Sequence, residues 1–431
     1  MTVRFDVALE GCRQILLGLL HQGEADFGKV VIVRDLMGRI HLALERGSKG
    51  DVPQQTLAAL STAAGPFWGA RVLEGRKMAA PQAVFASLDA VELDDGLWLL
   101  ERGVVGAEWG RAPLPNRPPT PPRAALYGLK GGVGRSTALC VWARHLAGMG
   151  KRVLVVDLDL ESPGVSSLLL TQDGSADFGL VDWFVEQAVG NADKELLRLM
   201  VARSPAASGT SGEILVAPCK GTKDMDYLAK LSRAYIDVPG ASTRHFGERV
   251  AELIDQLEEE HTPDVVLIDS RAGLHDLAGV ATTRLDAMTF LFAGASRQTW
   301  DGYRTLLNGW AKYPAVIQEV RNRVRVVAAM VPETERGQFL ANLNQLSYDS
   351  FCDIVYEEAS DATPDAFNFD VEAEDAPHFP LPTFWSRVFQ DWDPLSSDVT
   401  QEQVAACYSQ FLERATDMVL SEESAPGARN G

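Results

Sequence analysis

Apolar positions divide the chain into stretches of different rhythm. In DVALEGCRQILLGLL, Val7, Cys12, Ile15, Leu16 and Leu19 recur at helical spacing, which predicts an amphipathic helix. Two Val/Ile/Leu-rich runs follow, KVVIVRD and RIHLALE, joined by a turn at Leu36–Gly38, and these predict a pair of strands. VPQQTLAALSTAAG reads as a helix and GLWLLERGVVG as a further strand. Residues 1–112 are therefore expected to form a small α/β domain. They carry no catalytic constellation, and the segment reads as an accessory or interaction domain.

PLPNRPPTPPR, residues 113–123, contains six prolines. Such a segment is an extended, semi-rigid spacer and marks a domain boundary. From Ala124 the rhythm changes to short, continuous apolar runs alternating with helical patterns. AALYGL, KRVLVVDLDL, GEILVAPC, PDVVLIDS, AMTFLFAGA and RVRVVAAMV read as six buried strands. The helices between them include RSTALCVWARHLAGMG and STRHFGERVAELIDQLEEEH, the latter with Ser242 or Thr243 as a plausible N-cap. Uniformly apolar strands alternating with helices predict a parallel, doubly wound sheet covered on both faces, a three-layer α/β/α core over 124–345. Residues 346–420 read as an acidic extension ending in an amphipathic helix that packs on the core, and 421–431 as a disordered tail.

Charge sharpens this division. The chain's net charge is −19, but residues 1–123 balance at zero, 124–345 carry −4 and 346–431 carry −15. An acidic chain without a basic tract argues against a generic nucleic-acid-coating or anionic-membrane role. The terminal helix offers Glu402, Glu413 and Asp417 against Arg414, the wrong sign for a membrane anchor. Five scattered cysteines form no C-x-x-C pair and suit a reduced cytoplasm. The expectation is a soluble, cytoplasmic protein.

Three motifs carry the candidate chemistry. KGGVGRST, Lys130–Thr137, stands between a strand and a helix. Its glycines keep side chains out of a concavity where backbone N–H groups and the helix N-terminus bind phosphate. Gly131, Gly132, Val133, Gly134, Arg135, Ser136 and Thr137 are thus the candidate nucleotide-binding residues, with Ser136 placed for Mg²⁺. VLVVDLDLESPG puts Asp157 and Asp159 on one face of a strand end. One of them is expected to hold Ser136 or a Mg²⁺-bound water and the other to orient an attacking water. PDVVLIDSRAGL ends an apolar strand in Asp269, followed by a small Gly-containing loop, as a Mg²⁺-site carboxylate would be. The candidate metal residues are Ser136, Asp157 and Asp269.

These three motifs, in this order, resemble the ParA/MinD-like deviant Walker A P-loop ATPases of the SIMIBI class, over about half the chain. The family's K-G-G-x-G-K-[ST]-T loop places its first lysine at Lys130, which the resemblance implies reaches across a homodimer into the partner's nucleotide. The ordinary P-loop lysine falls at Arg135, the Mg²⁺ ligand at Ser136 and the α-phosphate contact at Thr137. Asp159 falls at the hydrolysis-supporting position, Asp157 at its structural neighbour and Asp269 at the Walker B carboxylate. Arg271 and Ala272 replace the prolines that usually follow that carboxylate. A subgroup carries KGGVGR beside other modules in bacterial signalling or conflict-type proteins, and this chain is similar to it. The implied catalytic set is Lys130, Asp159 and Arg135. Arginine keeps the charge and engages phosphate bidentately, but it is larger and planar, so binding is expected to survive and hydrolysis to be slow or altered.

The implied function is a Mg²⁺-dependent, ATP-binding dimeric switch that signals to a protein partner through the N-terminal domain or acidic tail. A non-hydrolysing nucleotide-bound scaffold and a DNA-partition ATPase are the alternatives. Arg271 is a candidate phosphate or partner contact, with a surface ion pair an equal alternative. Arg297 is a further candidate, and MVPET (330–334) and PHFPLP (377–382) are candidate base-holding loops.

Overall fold

The computed structural model describes residues 3–22, 26–87, 89–103, 105–111, 121–238, 244–358, 366–395 and 399–421. Most of the proline-rich linker and the tail beyond Ser421 fall outside the described residues, as do Ser242 and Thr243. The chain divides into two compact units, Met1–Arg111 and Ala112–Gly431.

The first unit holds five strands: β1 (Val30–Arg34), β2 (Ile40–Leu44), β3 (Trp68–Glu74), β4 (Ala90–Asp94) and β5 (Leu97–Glu101). They form one sheet in the order β3-β2-β1-β5-β4. Helices Phe5–Gln22 and Gln54–Ala64 pack on Val30, Ile32, Ile40 and Leu42 on one face. Helix Gln82–Phe85 packs on Val31, Val33 and Ala43 on the other. The apolar runs predicted as strands are the buried centre of this sheet. The edge strands β3 and β4 were not legible. They are only partly buried, β3 carries Ala70 at φ +55°, and both pair with a register shift.

The second unit holds β6 (Arg123–Tyr127), β7 (Arg152–Asp157), β8 (Ala202–Arg203), β9 (Glu213–Ala217), β10 (Val265–Asp269), β11 (Met288–Ala293), β12 (Val324–Val331) and β13 (Leu381–Phe384). Their order is β13-β12-β11-β6-β10-β7-β9-β8, and every neighbouring pair is parallel except β8 with β9. β6, β7 and β10 are almost wholly buried, as strands covered on both faces must be. One face is covered by helices Arg135–Gly148 and Gln401–Leu420, the other by Leu180–Ala188 and Phe246–His261. The long helix begins at Phe246 with His245 as N-cap, so its start lies later than the sequence suggested.

The sheet does not stop where the six apolar runs stop. β13 comes from within the segment read as an acidic extension, starting at the end of PHFPLP, and continues the sheet beyond β12. The helix Gln401–Leu420 lies against the helix Arg135–Gly148. Trp142 meets Phe290 and Phe411 edge-on, with ring centroids 5.4 and 5.6 Å away, and its indole N–H donates to Thr416 Oγ1 at 3.0 Å. Phe389 and Trp392, from the aromatic cluster before this helix, stack edge-on, and Phe389 also meets Tyr408. Among the described residues, no helix is long and apolar enough to cross a membrane.

Candidate functional site

Position in the sheet explains why the three motifs meet. β6, β10 and β7 are consecutive neighbours, with Asp269 in register with Leu126 on one side and Asp157 on the other. Loops leaving the C-terminal ends of parallel strands share one edge of the sheet, where such folds bind ligands.

The loop after β6 turns through left-handed backbone at Gly132 (φ +74°) and Gly134 (φ +78°), a region that only glycine enters freely. A Cβ added at Gly131 or Gly132 would meet nothing within 4 Å, so the mouth of the loop is open. Gly134 is the N-cap of helix Arg135–Gly148 and supplies no side-chain cap, and the first turn carries no acidic residue. The N–H groups of that turn are thus available to an anion. Met330, at the end of β12 and itself at φ +54°, approaches the loop from the other side, 3.5 Å from where a Cβ on Gly134 would lie. This brings MVPET to the loop; in PHFPLP, Leu381 and Pro382 belong to β13.

Ser136 donates its hydroxyl proton to Asp269 Oδ2 at 2.7 Å. The other oxygen, Oδ1, is buried and has no hydrogen-bond partner among the described residues. Burial first, and then the charge of Asp157, push the Asp269 carboxyl up to about 7, against the pull of Arg135 and Ser136. A Mg²⁺ ion beside Ser136 and Asp269 would reverse that balance and satisfy the orphaned oxygen, so these two residues fit the cation. Among the described residues, no three His, Cys, Asp or Glu side chains cluster into a metal cage. That is compatible with Mg²⁺, which takes one or two carboxylates together with substrate phosphates.

The carboxylates of the DLD motif have separate surroundings. Asp157 is fully buried, and burial raises its carboxyl. It accepts from Ser166 Oγ at 2.6 Å, Ser166 N at 3.1 Å and Asp159 N at 3.3 Å. The serine held by Asp157 is therefore Ser166, whereas Ser136 is held by Asp269. Asp159 is also raised by burial, opposed by the charges of Arg271 and Arg135. It accepts from Ser162 N and lies 3.9 Å from Arg271 Nη1. The loop that follows returns to the site, because a Cβ on Gly164 would lie 3.5 Å from Ser136 Oγ.

Arg135 is buried and donates from Nη1 to the Ser270 carbonyl at 2.5 Å. Its Cδ would stand 3.2 Å from a Cβ on Gly128, so the aliphatic stem crosses the root of the loop. The guanidinium thereby ties the phosphate loop to the loop after β10. Lys130 is exposed at the rim and donates to Gln298 Oε1 at 2.6 Å. Thr137 lies partly buried in the first helical turn. Arg297 is exposed, and the loop after β11 meets the site through its neighbour Gln298.

Sequence reasoning missed Glu161, although it stands two residues after Asp159. Glu161 accepts from Tyr235 Oη at 2.5 Å, forms an ion pair with Arg271 and lies 3.6 Å from His275 Nε2. A carboxylate so near the DLD motif was the available signal, but partners more than seventy positions away were not. The loop after β9 supports this region: Cys219 Sγ approaches the Asp159 carbonyl at 3.6 Å. That loop is pressed against Gly179, where a Cβ would lie 2.3 Å from the Cys219 carbonyl oxygen. Gly179→Ala is expected to cost about 1–3 kcal/mol, read as a lowered thermal midpoint. An unchanged midpoint would contradict this close backbone approach.

Among solved structures the chain is similar to a ParA family ATPase from Chlorobium tepidum, at 14% identity over 68% of this chain and 98% of that one, TM-score 0.41. It is similar to a putative plasmid partition protein from Borrelia burgdorferi bound to AMPPNP, at 12% identity over 69% and 100%, TM-score 0.42. It is also similar to the septum site-determining protein MinD complexed with Mg-ADP from Pyrococcus horikoshii, at 16% identity over 71% and 99%, TM-score 0.40. No curated protein matches the chain in sequence. The family model described as the CobQ/CobB/MinD/ParA nucleotide binding domain matches residues 124–336, the span that carries all three motifs. Over that segment the chain is similar to the CobQ/CobB/MinD/ParA nucleotide-binding domain.

Proposed function

We propose that the chain binds Mg·ATP, hydrolyses it slowly, and acts as a nucleotide-dependent homodimer that reports its state to a protein partner. The observation that carries this reading is Asp269, which holds the Ser136 hydroxyl with one oxygen and has a second oxygen buried without a partner, beside an open glycine loop. Ser136 and Asp269 would hold Mg²⁺, which when bound neutralises charge developing on the phosphates.

The residues divide the remaining work. Backbone N–H groups of Gly131–Gly134 and the first helical turn bind phosphate, with Thr137 in that turn. Arg135 supplies positive charge behind the loop. Asp159, half-buried at the strand end, orients the attacking water. Asp157, with both oxygens engaged, braces the loop that carries Asp159. Lys130 gives up an exposed hydrogen bond to Gln298 at little cost, which suits a group that reaches a partner copy. The N-terminal unit and the acidic segment are the surfaces offered to a protein partner.

Turnover in Asp159→Ala and Lys130→Ala tests these roles. Each is expected to lose at least about 100-fold, the lower end for a positioned catalytic side chain. Light scattering with Mg·ATP is expected to double the mass of the wild type and not of Lys130→Ala. Unchanged turnover in both variants, or a wild type that stays monomeric, would overturn the assignment.

A further inference from the structure

Arg271 is held by anchors on either side of it. Ser270 N donates to the Leu126 carbonyl, and the Ser270 carbonyl takes the Arg135 guanidinium. Gly273 N donates to the Gly128 carbonyl at 3.1 Å, and Tyr127 Oη donates to the Gly273 carbonyl at 3.1 Å. The backbone around Arg271 is thus stitched at both ends to β6 and the root of the phosphate loop. Only the short span between the stitches, with its side chain, is free to swing.

That side chain rests on Glu161, from the loop after β7, and stands 3.9 Å from Asp159. The pair is partly open to solvent, with Arg271 29% and Glu161 26% exposed. A half-exposed ion pair contributes little, within about fivefold in an equilibrium constant. A phosphate group offers the same guanidinium a stronger, bidentate partner. The resting contact is therefore one that a nearby terminal phosphate can displace. The trade has a further consequence, because Glu161 also receives Tyr235 Oη at the end of helix Tyr227–Ala234 and approaches His275. Releasing Arg271 takes the cation away from a carboxylate shared by three segments.

We propose that Arg271 is a specificity-determining residue that distinguishes a nucleoside triphosphate from a diphosphate, by leaving Glu161 for the terminal phosphate. This rests on the nucleotide-binding reading above and adds to it a group in the same chain that contacts only the third phosphate. Glu161 is the competing ligand that sets how readily Arg271 moves.

The test compares affinities for Mg·ADP and for a non-hydrolysable Mg·ATP analogue, by calorimetric titration of the full chain. Arg271→Ala is expected to weaken analogue binding about tenfold or more while ADP binding stays within about twofold, since a lost charge-assisted hydrogen bond is worth at least one factor of ten. Arg271→Lys should recover part of that loss. Glu161→Gln, which removes the competitor's charge, should tighten the analogue by up to about fivefold and leave ADP unchanged. Circular dichroism establishes that each variant is folded. If wild type binds ADP but Arg271→Ala keeps the wild-type ratio of the two affinities, the role of Arg271 is overturned and the nucleotide site stands. If the wild type binds neither nucleotide, both readings fall.

Discussion

Trp142→Ala is expected to destabilise the second unit by about 3–5 kcal/mol, the range for truncating a fully buried aromatic side chain. Trp142 is wholly buried in the middle of the helix that follows the phosphate loop. It packs edge-on against Phe290 of β11 and Phe411 of the helix Gln401–Leu420, and it donates to Thr416. The substitution opens a cavity between the sheet and two helices and leaves the buried Thr416 hydroxyl without its donor. Denaturant unfolding followed by circular dichroism measures the loss. Thr416→Val removes the hydrogen bond alone and is expected to cost about 1 kcal/mol. In the double variant Trp142→Phe, Thr416→Val the effects should be less than additive, because both remove the same bond. A loss under 1 kcal/mol for Trp142→Ala would mean that this seam does not hold the helices together.

Arg135→Ala is expected to weaken Mg·ATP binding by about 100-fold, roughly 2.7 kcal/mol. Its guanidinium is the cation nearest in chemistry to the conventional P-loop lysine, yet it is buried and directed at the Ser270 carbonyl. Two contributions are lost together. The positive charge that pulls down the carboxyls of Asp269 and Asp159 disappears, so incoming phosphates meet less compensated acid. The tie between the phosphate loop and the loop after β10 also disappears, and both must be ordered anew on binding. Arg135→Lys keeps the charge but not the planar fork, and is expected to stay within about tenfold in affinity while changing turnover. Calorimetric titration measures both variants. Wild-type affinity in Arg135→Ala would remove Arg135 from the binding site.

What was legible in the sequence follows a physical line. The central strands announce themselves because burial on both faces demands continuous Val, Ile and Leu. The phosphate loop announces itself because left-handed backbone at Gly132 and Gly134 demands glycine. Asp269 and the DLD pair were legible as carboxylates at strand ends. Their partners were not: Asp269 takes Ser136 because β10 lies beside β6, and Asp157 takes Ser166 because the chain after β7 folds back on it, neither of which a local pattern contains. The same holds for Glu161 with Arg271 and for Lys130 with Gln298, 168 positions apart. Edge strands escaped for the opposite reason. β8 is two residues long, and β13 carries two prolines' worth of turn chemistry in and around its four residues, so neither offers an apolar run.

The seam between Trp142 and Thr416 also sets a schedule for synthesis. The two residues are 274 positions apart. At the usual pace of translation, about 5–20 residues per second, roughly 15–55 s separate the emergence of one from that of the other. During that interval the helix behind the phosphate loop has no cover on its outer apolar face, and the edge of β12 awaits β13. The nascent chain therefore exposes the aromatic surface around Trp142 for longer than most small domains take to fold. Chaperone capture of the nascent chain is expected over that window and to end once the helix Gln401–Leu420 docks.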